Sequence, residues 1–226
     1  MSNVIRSLVQ SSLKNTGGCV TLGESASYNL LDDPARMLFS LSRYKFVSKM
    51  FSGFGRVLEV GCADGLGAYL VSKSVTHLTC VDIDPVLVDS GRRCWSPHAS
   101  NISFETGDVT RKEFLNDKIF DGVFLLDVLE HIPSEEEDIL LSSLCGRLER
   151  YGSLIIGMPS LESQEYASSL SKIGHINCKS ASQLHALCLK HFNLVYMFGA
   201  NDEVVHTGYP AMQHYRLALC AAPRGK

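Results

Sequence analysis

The stretch Val57-Leu58-Glu59-Val60-Gly61-Cys62-Ala63-Asp64-Gly65 constrains the fold of this chain more than any other. An apolar run suited to a buried strand breaks into a glycine-bearing turn, and a helix-like segment follows over 66–74. A second apolar run over 77–82 ends in Asp82. Strand, tight turn, helix, strand and carboxylate is how an open α/β sheet builds a site for an adenosine-containing ligand. The glycines allow close backbone approach, and an acid ending the second strand can accept hydrogen bonds from ribose hydroxyls. The turn departs from the dinucleotide pattern G-x-G-x-x-G, because only Gly61 and Gly65 are present and Asp64 stands between them. An acid there would repel a pyrophosphate, so a ligand with a positive centre and an amino group suits the turn better.

The same alternation continues downstream. Strands are expected over 102–105, 120–126 and 153–158, with helices over 85–94 and from Ser134 to about 150. Ser134 with Glu137 three positions on reads as a capping box, and 109–117 as an irregular crossover. Near-continuous apolar strands between helices indicate a parallel sheet covered on both faces, and right-handed crossovers make it a doubly wound α/β layer. Asp33-Pro34 opens an earlier helix that stops near Gly53, with an N-cap acid and proline at the first helical position. After Pro159 the pattern changes to polar segments, then a helix over 182–191 and two strands over 193–198 and 214–221 that can pair at the sheet edge. Residues 1–32 read as a tail or lid, with Val4, Ile5, Leu8 and Val9 at helical spacing and a joint at Gly17-Gly18, and residues 33–226 as one domain.

Composition narrows the classes further. A chain of 226 residues, 45% hydrophobic and 20% charged, with net charge −3, is an ordinary globular protein without the basic stripe of a nucleic-acid binder. The run Glu135-Glu136-Glu137-Asp138 is a solvated helix start. The eight cysteines form no C-x-x-C pair and several sit in apolar runs, which reads as buried thiols in a reducing cytoplasm. No apolar stretch approaches the roughly 20 residues of a membrane span.

Glu59-Val60-Gly61-Cys62-Ala63-Asp64-Gly65 resembles the first motif of class I S-adenosylmethionine-dependent methyltransferases, E/D-x-G-x-G-x-G, with Ala63 in place of the middle glycine. The resemblance covers about 35–222 and implies a Rossmann-like, seven-stranded, mostly parallel sheet with an antiparallel edge strand. It implies S-adenosyl-L-methionine as the cofactor, with Gly61 and Gly65 at its methionine part and Glu59 shaping the turn. Asp82 then matches the ribose acid, Ile83 the adenine face, and Gly107-Asp108-Val109 the adenine edge. Leu125-Leu126-Asp127-Val128-Leu129-Glu130-His131-Ile132 resembles the fourth-strand motif of small-molecule members, with Asp127 beside the amino acid part of the cofactor. Arg43, on the helix before the first strand, is the candidate clamp for the cofactor carboxylate, which a guanidinium grips well.

For chemistry, His131 can face the transferred methyl as a general base, because an imidazole titrates near ~6.5. His175 is a second candidate base. Glu162, Tyr166, Asn177 and His206 are the expected acceptor contacts, since loops at the mouth of a rigid sheet carry specificity. Polar loops without an aromatic box suggest a hydroxyl-rich acceptor, and these loops look similar to bacterial methyltransferases of sugar and polysaccharide modification. Asp127, Glu130, Glu162 and His175 could converge on a cation, but no linear spacing requires it, and no metal is assigned. The expected activity is methyl transfer to an oxygen of a small polar acceptor, without a nucleic-acid partner; a homodimer is left open. The rivals are N-methylation of a small amine or protein side chain, of which adenine or glutamine N-methylation is disfavoured because no D/N-P-P-Y/F follows the fourth strand, and a cofactor-binding regulatory module or an NAD-dependent enzyme.

Overall fold

The computed structural model describes residues 3–15, 19–111, 114–115 and 118–226, so the Gly17-Gly18 joint and part of the 109–117 crossover lie outside the described residues. Helices α1 (Asn3–Asn15), α2 (Glu24–Asp32) and α3 (Pro34–Met50) precede the alternating core. The core runs β1 (Arg56–Val60), α4 (Leu66–Ser72), β2 (His77–Asp82), α5 (Pro85–Trp95), β3 (Ile102–Thr106), β4 (Phe120–Leu126), α6 (Glu137–Gly146) and β5 (Leu148–Pro159). Beyond it lie α7 (Ser169–Gly174), α8 (Ala181–His191), β6 (Phe192–Asn201), β7 (Val204–His206) and β8 (Tyr215–Pro223), with single 3₁₀ turns at Leu129–His131, Glu162–Tyr166 and Pro210–Met212.

One sheet takes all the strands, in the order β3-β2-β1-β4-β5-β8-β6-β7. The first five are parallel neighbours, and β8 runs antiparallel between β5 and β6. Side chains of alternate strand residues enter opposite faces. Leu58 and Val60 pack with Leu141 and Leu144 of α6 and Leu184 and Cys188 of α8. Val57, Leu78 and Cys80 pack with Val47 of α3, Val71 of α4 and Trp95 of α5. The result is the doubly wound three-layer arrangement. Among the described residues the sheet has eight strands where seven are expected; β8 is reversed in its interior, and the edge strand β7, antiparallel to β6, is the expected antiparallel edge strand. The edge is the short β7, which folds back on β6 through a turn where Asp202 takes a φ of +50°. Asp is among the residues that visit this left-handed region most readily.

Asp33 caps α3 as expected, its side chain accepting from the Ala35 backbone N–H. The expected capping box at Ser134 and Glu137 does not form. The Ser134 hydroxyl donates to Glu135 instead, and the Glu137 carboxylate accepts from Lys179 Nζ at 2.7 Å and Asn177 Nδ2 at 3.0 Å. A buried ammonium stabilises that carboxylate more than an end-of-helix N–H could. Helix α6 also stops at Gly146, short of the expected 150, because β5 already pairs Leu148 with Phe120.

Candidate active site

The loop after β1 is held by β2. The N–H groups of Gly61 and Cys62 both donate to the Val81 carbonyl, and that of Ala63 donates to Asp82 Oδ2 at 2.8 Å. Gly61 and Gly65 both have φ of +77°, and a Cβ at Gly61 would stand 2.3 Å from Val128 Cγ2. Glycine is therefore required there by conformation and by space. Ala63 sits at φ +46°, a left-handed conformation that costs an L-residue roughly 1–2 kcal/mol, and its bond to Asp82 helps hold it. Asp82 Oδ1 accepts from the Asp84 backbone N–H, so both oxygens of this acid order the loops around the strand ends.

Asp64 is taken up by the helix that precedes the core. Its carboxylate is buried and accepts from the Ala26 N–H at 2.7 Å, fastening the first turn of α2 to the glycine loop. The argument that this acid repels a pyrophosphate therefore has no exposed charge to rest on; Asp64 is the anchor of α2. Burial holds its carboxyl above the usual carboxylate range, opposed by the backbone N–H groups of Ala26, Leu66 and Ser25.

Two adjoining cavities open at the carboxyl ends of β1, β2 and β4, where open α/β sheets bind ligands. One, of about 450 Å³, is lined by Asp82, Ile83, Asp108, Val109, Val128 and His131 among others. The second, of about 250 Å³, lies between Ser25, Ala26 and Asn29 of α2, Met37 and Tyr44 of α3, and the glycine loop. Gly61, Ala63 and Asp127 border both. Ile83 is 76% exposed, an apolar face ready for a planar ring. Asp108 accepts from the Thr110 hydroxyl at 2.6 Å, the main reason that its carboxyl lies below the usual range. A larger hollow of about 780 Å³, lined by Leu115, Lys118, Ile139 and Arg147, holds none of the expected site residues.

At the floor of the junction, Arg43 Nη1 reaches both carboxylate oxygens of Asp127, at 3.1 and 2.9 Å, and its guanidinium stacks 3.7 Å over the Tyr215 ring. The expected clamp is thus paired with Asp127, itself at φ +57° just past β4. Glu130 and Tyr215, both buried, complete this corner. His131 Nδ1 donates to the Gly174 carbonyl at 2.9 Å, and the His131 and His175 rings lie 5.2 Å apart, edge to face. Burial, then the neighbouring His131, holds His175 below its ordinary value.

The other expected residues stand elsewhere. Glu59 lies beneath the loop, fully buried, with Oε1 accepting from the Tyr44 hydroxyl at 2.8 Å, so it supports the turn from below and lines neither cavity. Glu162 accepts from Arg216 at 2.8 Å. Asn177 is 8% exposed, and its amide donates to the Ile132 carbonyl and Glu137 while its oxygen accepts from Lys179, which leaves nothing for an acceptor molecule. His206 has one nitrogen on Asn201 and the other accepting from the Gly208 N–H, inside the β6–β7 corner. Tyr166 is 84% exposed at the end of its 3₁₀ turn. Asn177 and His206 thus order loops where direct acceptor contact was expected. Tyr44, Tyr215 and the α2 wall escaped the sequence reading because nothing local marks them, whereas Glu130 stood in the fourth-strand motif and was considered only as a cation ligand.

Burial pushes the Glu59 carboxyl up to about 7, against the hydrogen bond from Tyr44. An acid raised in the folded state stabilises the fold fully below its unfolded value, and that contribution is lost as pH rises through the folded one. From 4.5 to about 7 the loss is about 3 kcal/mol at ~1.4 kcal/mol per unit. Glu59→Gln is expected to flatten this part of the pH–stability curve. Urea unfolding of both proteins at pH 5 and pH 8 checks it, and an unchanged pH difference would count against a buried, proton-binding Glu59.

Residues 57–152 match the family described as methyltransferase domain. Among curated proteins, the ubiquinone biosynthesis O-methyltransferase of Xanthomonas oryzae pv. oryzae (strain PXO99A) is 26% identical over 146 residues, covering 63% of this chain and 59% of that protein. The namesake from Rickettsia felis is 25% identical over 115 residues, covering 51% of this chain and 43% of its own. This chain thus spans about half the length of these relatives. Among solved structures, N-methyltransferase NodS from Bradyrhizobium japonicum WM9, in complex with S-adenosyl-L-homocysteine, has the same fold at a TM-score of 0.66 and 19% identity, covering 87% of this chain and 92% of that one. An O-methyltransferase family protein from Burkholderia thailandensis aligns at a TM-score of 0.64 and 15% identity, over 86% of this chain and 59% of that one. The matched segment holds the glycine loop, Asp82, Asp108 and Asp127, and residues 57–152 of this chain are similar to a methyltransferase domain.

Proposed function

We propose that this chain transfers the methyl group of S-adenosylmethionine to an oxygen of a small acceptor that carries a hydroxyl on an apolar or aromatic body. The observation that carries the reading is the pair of adjoining cavities, with Asp82, Ile83 and Asp108 along one and the glycine loop, Arg43 and Asp127 at their junction. In this reading Asp82 takes the ribose hydroxyls, Ile83 and Val109 the adenine faces and Asp108 its amino edge. Gly61, Gly65 and the Arg43–Asp127 pair meet the amino acid end, and α2 closes over it as the lid. The acceptor lies on the side of His131 and His175, the groups there able to receive a hydroxyl or its proton. Much of the rate gain comes from holding the attacking oxygen in line with the sulfonium methyl.

The acceptor class follows from the loops over that corner. The polar residues that suggested a sugar are accompanied by Tyr166, Leu170, Ile173 and Ile176, exposed at 84%, 78%, 76% and 61%. An apolar rim of this kind favours a hydroxylated ring, and the O-methyltransferase names of the curated relatives point the same way. A sugar hydroxyl is the second reading, carried by the polar side chains between those apolar ones. Amine methylation, named for the Bradyrhizobium neighbour, is the rival reaction.

The test is a radiolabelled methyl-transfer assay with three acceptor pools: phenols and catechols, sugars, and amines. Label is expected in the first pool, with S-adenosylhomocysteine released in equal amount. Label confined to sugars or amines would replace the acceptor, and absence of S-adenosylhomocysteine binding in a thermal-shift titration would remove the reading altogether.

A further inference from the structure

The two edges of the sheet are built differently. At β3, Arg92 donates to the Phe104 carbonyl through Nε and Nη2, at 3.1 and 2.7 Å, and the adjoining Glu105 is paired with Lys118. Charges of this kind are one way in which proteins keep an edge strand from pairing with a neighbour. At the other edge β7 covers only Gly199, Ala200 and Asn201 of β6. The stretch from Asn193 to Phe198 pairs with β8 on one side and, among the described residues, with no strand on the other. Alternate residues of a strand direct their N–H and C=O groups to opposite neighbours, so this stretch presents a row of open donors and acceptors.

The usual protections are missing there. Asn193-Leu194-Val195-Tyr196-Met197-Phe198 carries no charge and no proline. Val195 and Met197 pack against one core cluster and Phe198 against the other, which fixes the strand in place. Leu194 and Tyr196 stand exposed at 49% and 53%. We propose that this edge pairs with the same stretch of a second copy of the chain, antiparallel about a two-fold axis near Val195 and Tyr196, and joins two sheets into one.

Length and charge both select a second copy. The gap is bounded by β7 at one end and by the α8–β6 junction at the other, where Arg224 Nε donates to the Leu189 and Phe192 carbonyls. An identical segment fills it from end to end. The start of β6 is flanked by Lys190, His191 and Arg224, and its far end by Asp202 and Glu203. Lys190 and His191 already meet Asp138, which leaves Arg224 as the cation without an acid among the described residues. Antiparallel pairing turns the basic end of each copy toward the acidic end of the other, whereas parallel pairing would set like against like. A two-fold pairing also uses up the open edge of both copies, so it yields a dimer and no polymer. A strand pair of this length forms roughly six main-chain hydrogen bonds, and the interface falls at the low end of specific ones, about 1,200 Å². The dimer is therefore weak and forms with concentration.

The test is multi-angle light scattering of the full chain at about 1 µM and about 200 µM, a range that spans weak association. The mass is expected to rise from the 24.8 kDa of one chain toward twice that value. Tyr196→Lys, which sets two like charges near the axis, should stay monomeric throughout, and Leu194→Lys should weaken the dimer at least tenfold. Both side chains face solvent, so melting temperature and S-adenosylhomocysteine affinity at the lower concentration should match the wild type and serve as folding controls. Tyr151→Lys, at a site 78% exposed on β5, should dimerise like the wild type. Hydrogen exchange of the wild type needs no variant: outward amides between Asn193 and Phe198 should exchange more slowly at the higher concentration. A dimer indifferent to Tyr196→Lys, protected amides elsewhere, or species larger than a dimer would each overturn the pairing. A chain that stays monomeric would overturn it too, and would leave the edge to an extended segment of another protein.

Discussion

Asp82→Ala is expected to raise the dissociation constant of S-adenosylhomocysteine at least about 100-fold, about 2.7 kcal/mol. Two losses combine in it. The ribose loses charge-assisted hydrogen bonds to a carboxylate, which are about twice as strong as neutral ones. The glycine loop loses the bond from the Ala63 N–H to Asp82 Oδ2, which helps hold that alanine in its left-handed conformation. Calorimetry on Asp82→Ala and Asp82→Asn separates the two, because asparagine keeps an acceptor oxygen for the loop but no charge. Asp82→Asn should fall between the wild type and the alanine variant. Alanine-variant affinity within threefold of the wild type would show that the ribose is not bound here.

The second large effect is on stability. Arg216, on the interior reversed strand β8, is fully buried and donates to the Pro210 carbonyl, Gln213 Oε1 and Glu162 Oε2. It joins the segment after β5 to the loop before β8, the two stretches in which most of the expected acceptor contacts were sought. Removing one partner of a buried charge network strands the others, typically at about 3–5 kcal/mol. The lower end applies here, because the Glu162 side chain is 38% exposed and water can take part of its charge. Arg216→Ala should therefore lower the melting temperature by about 10 °C, at ~2–4 °C per kcal/mol for a domain of this size. A melting temperature within 2 °C of the wild type would mean that the network contributes little. Measured at 20 °C, cofactor affinity should be nearly unchanged, since Arg216 lines neither cavity.

The parallel core was legible because its evidence is local. Apolar runs of strand length, Asp33-Pro34 and Asp84-Pro85 at helix starts, and glycines at the sharp turn each act within a few residues, and all stand where the sequence places them. The Ser134–Glu137 capping box is equally local in appearance, yet Glu137 bonds to residues 40 and 42 positions away. A strong tertiary partner outcompeted a helix cap, and no window around Glu137 contains that information. The strand count differed for a similar reason: β7 is three residues long and exists only because β6 is there to pair with it.

The same division runs through the site. By itself the sequence determined that strands end in a glycine turn, in Asp82, in Asp108 and in Asp127-Val128-Leu129-Glu130-His131, and hence at which edge of the sheet an adenosine-type ligand is proposed to bind. Only the tertiary structure decided what those side chains face. It sent Asp64 to the first turn of α2, joined Arg43 to Asp127 across 84 positions, buried Glu130 without a partner beside two histidines, and tied Asn177 into the protein's own hydrogen bonds. Periodicity and turn chemistry operate through neighbours in the chain. The charge and protonation of a side chain are set by whatever packing brings within a few ångströms, and that is a property of the assembled fold.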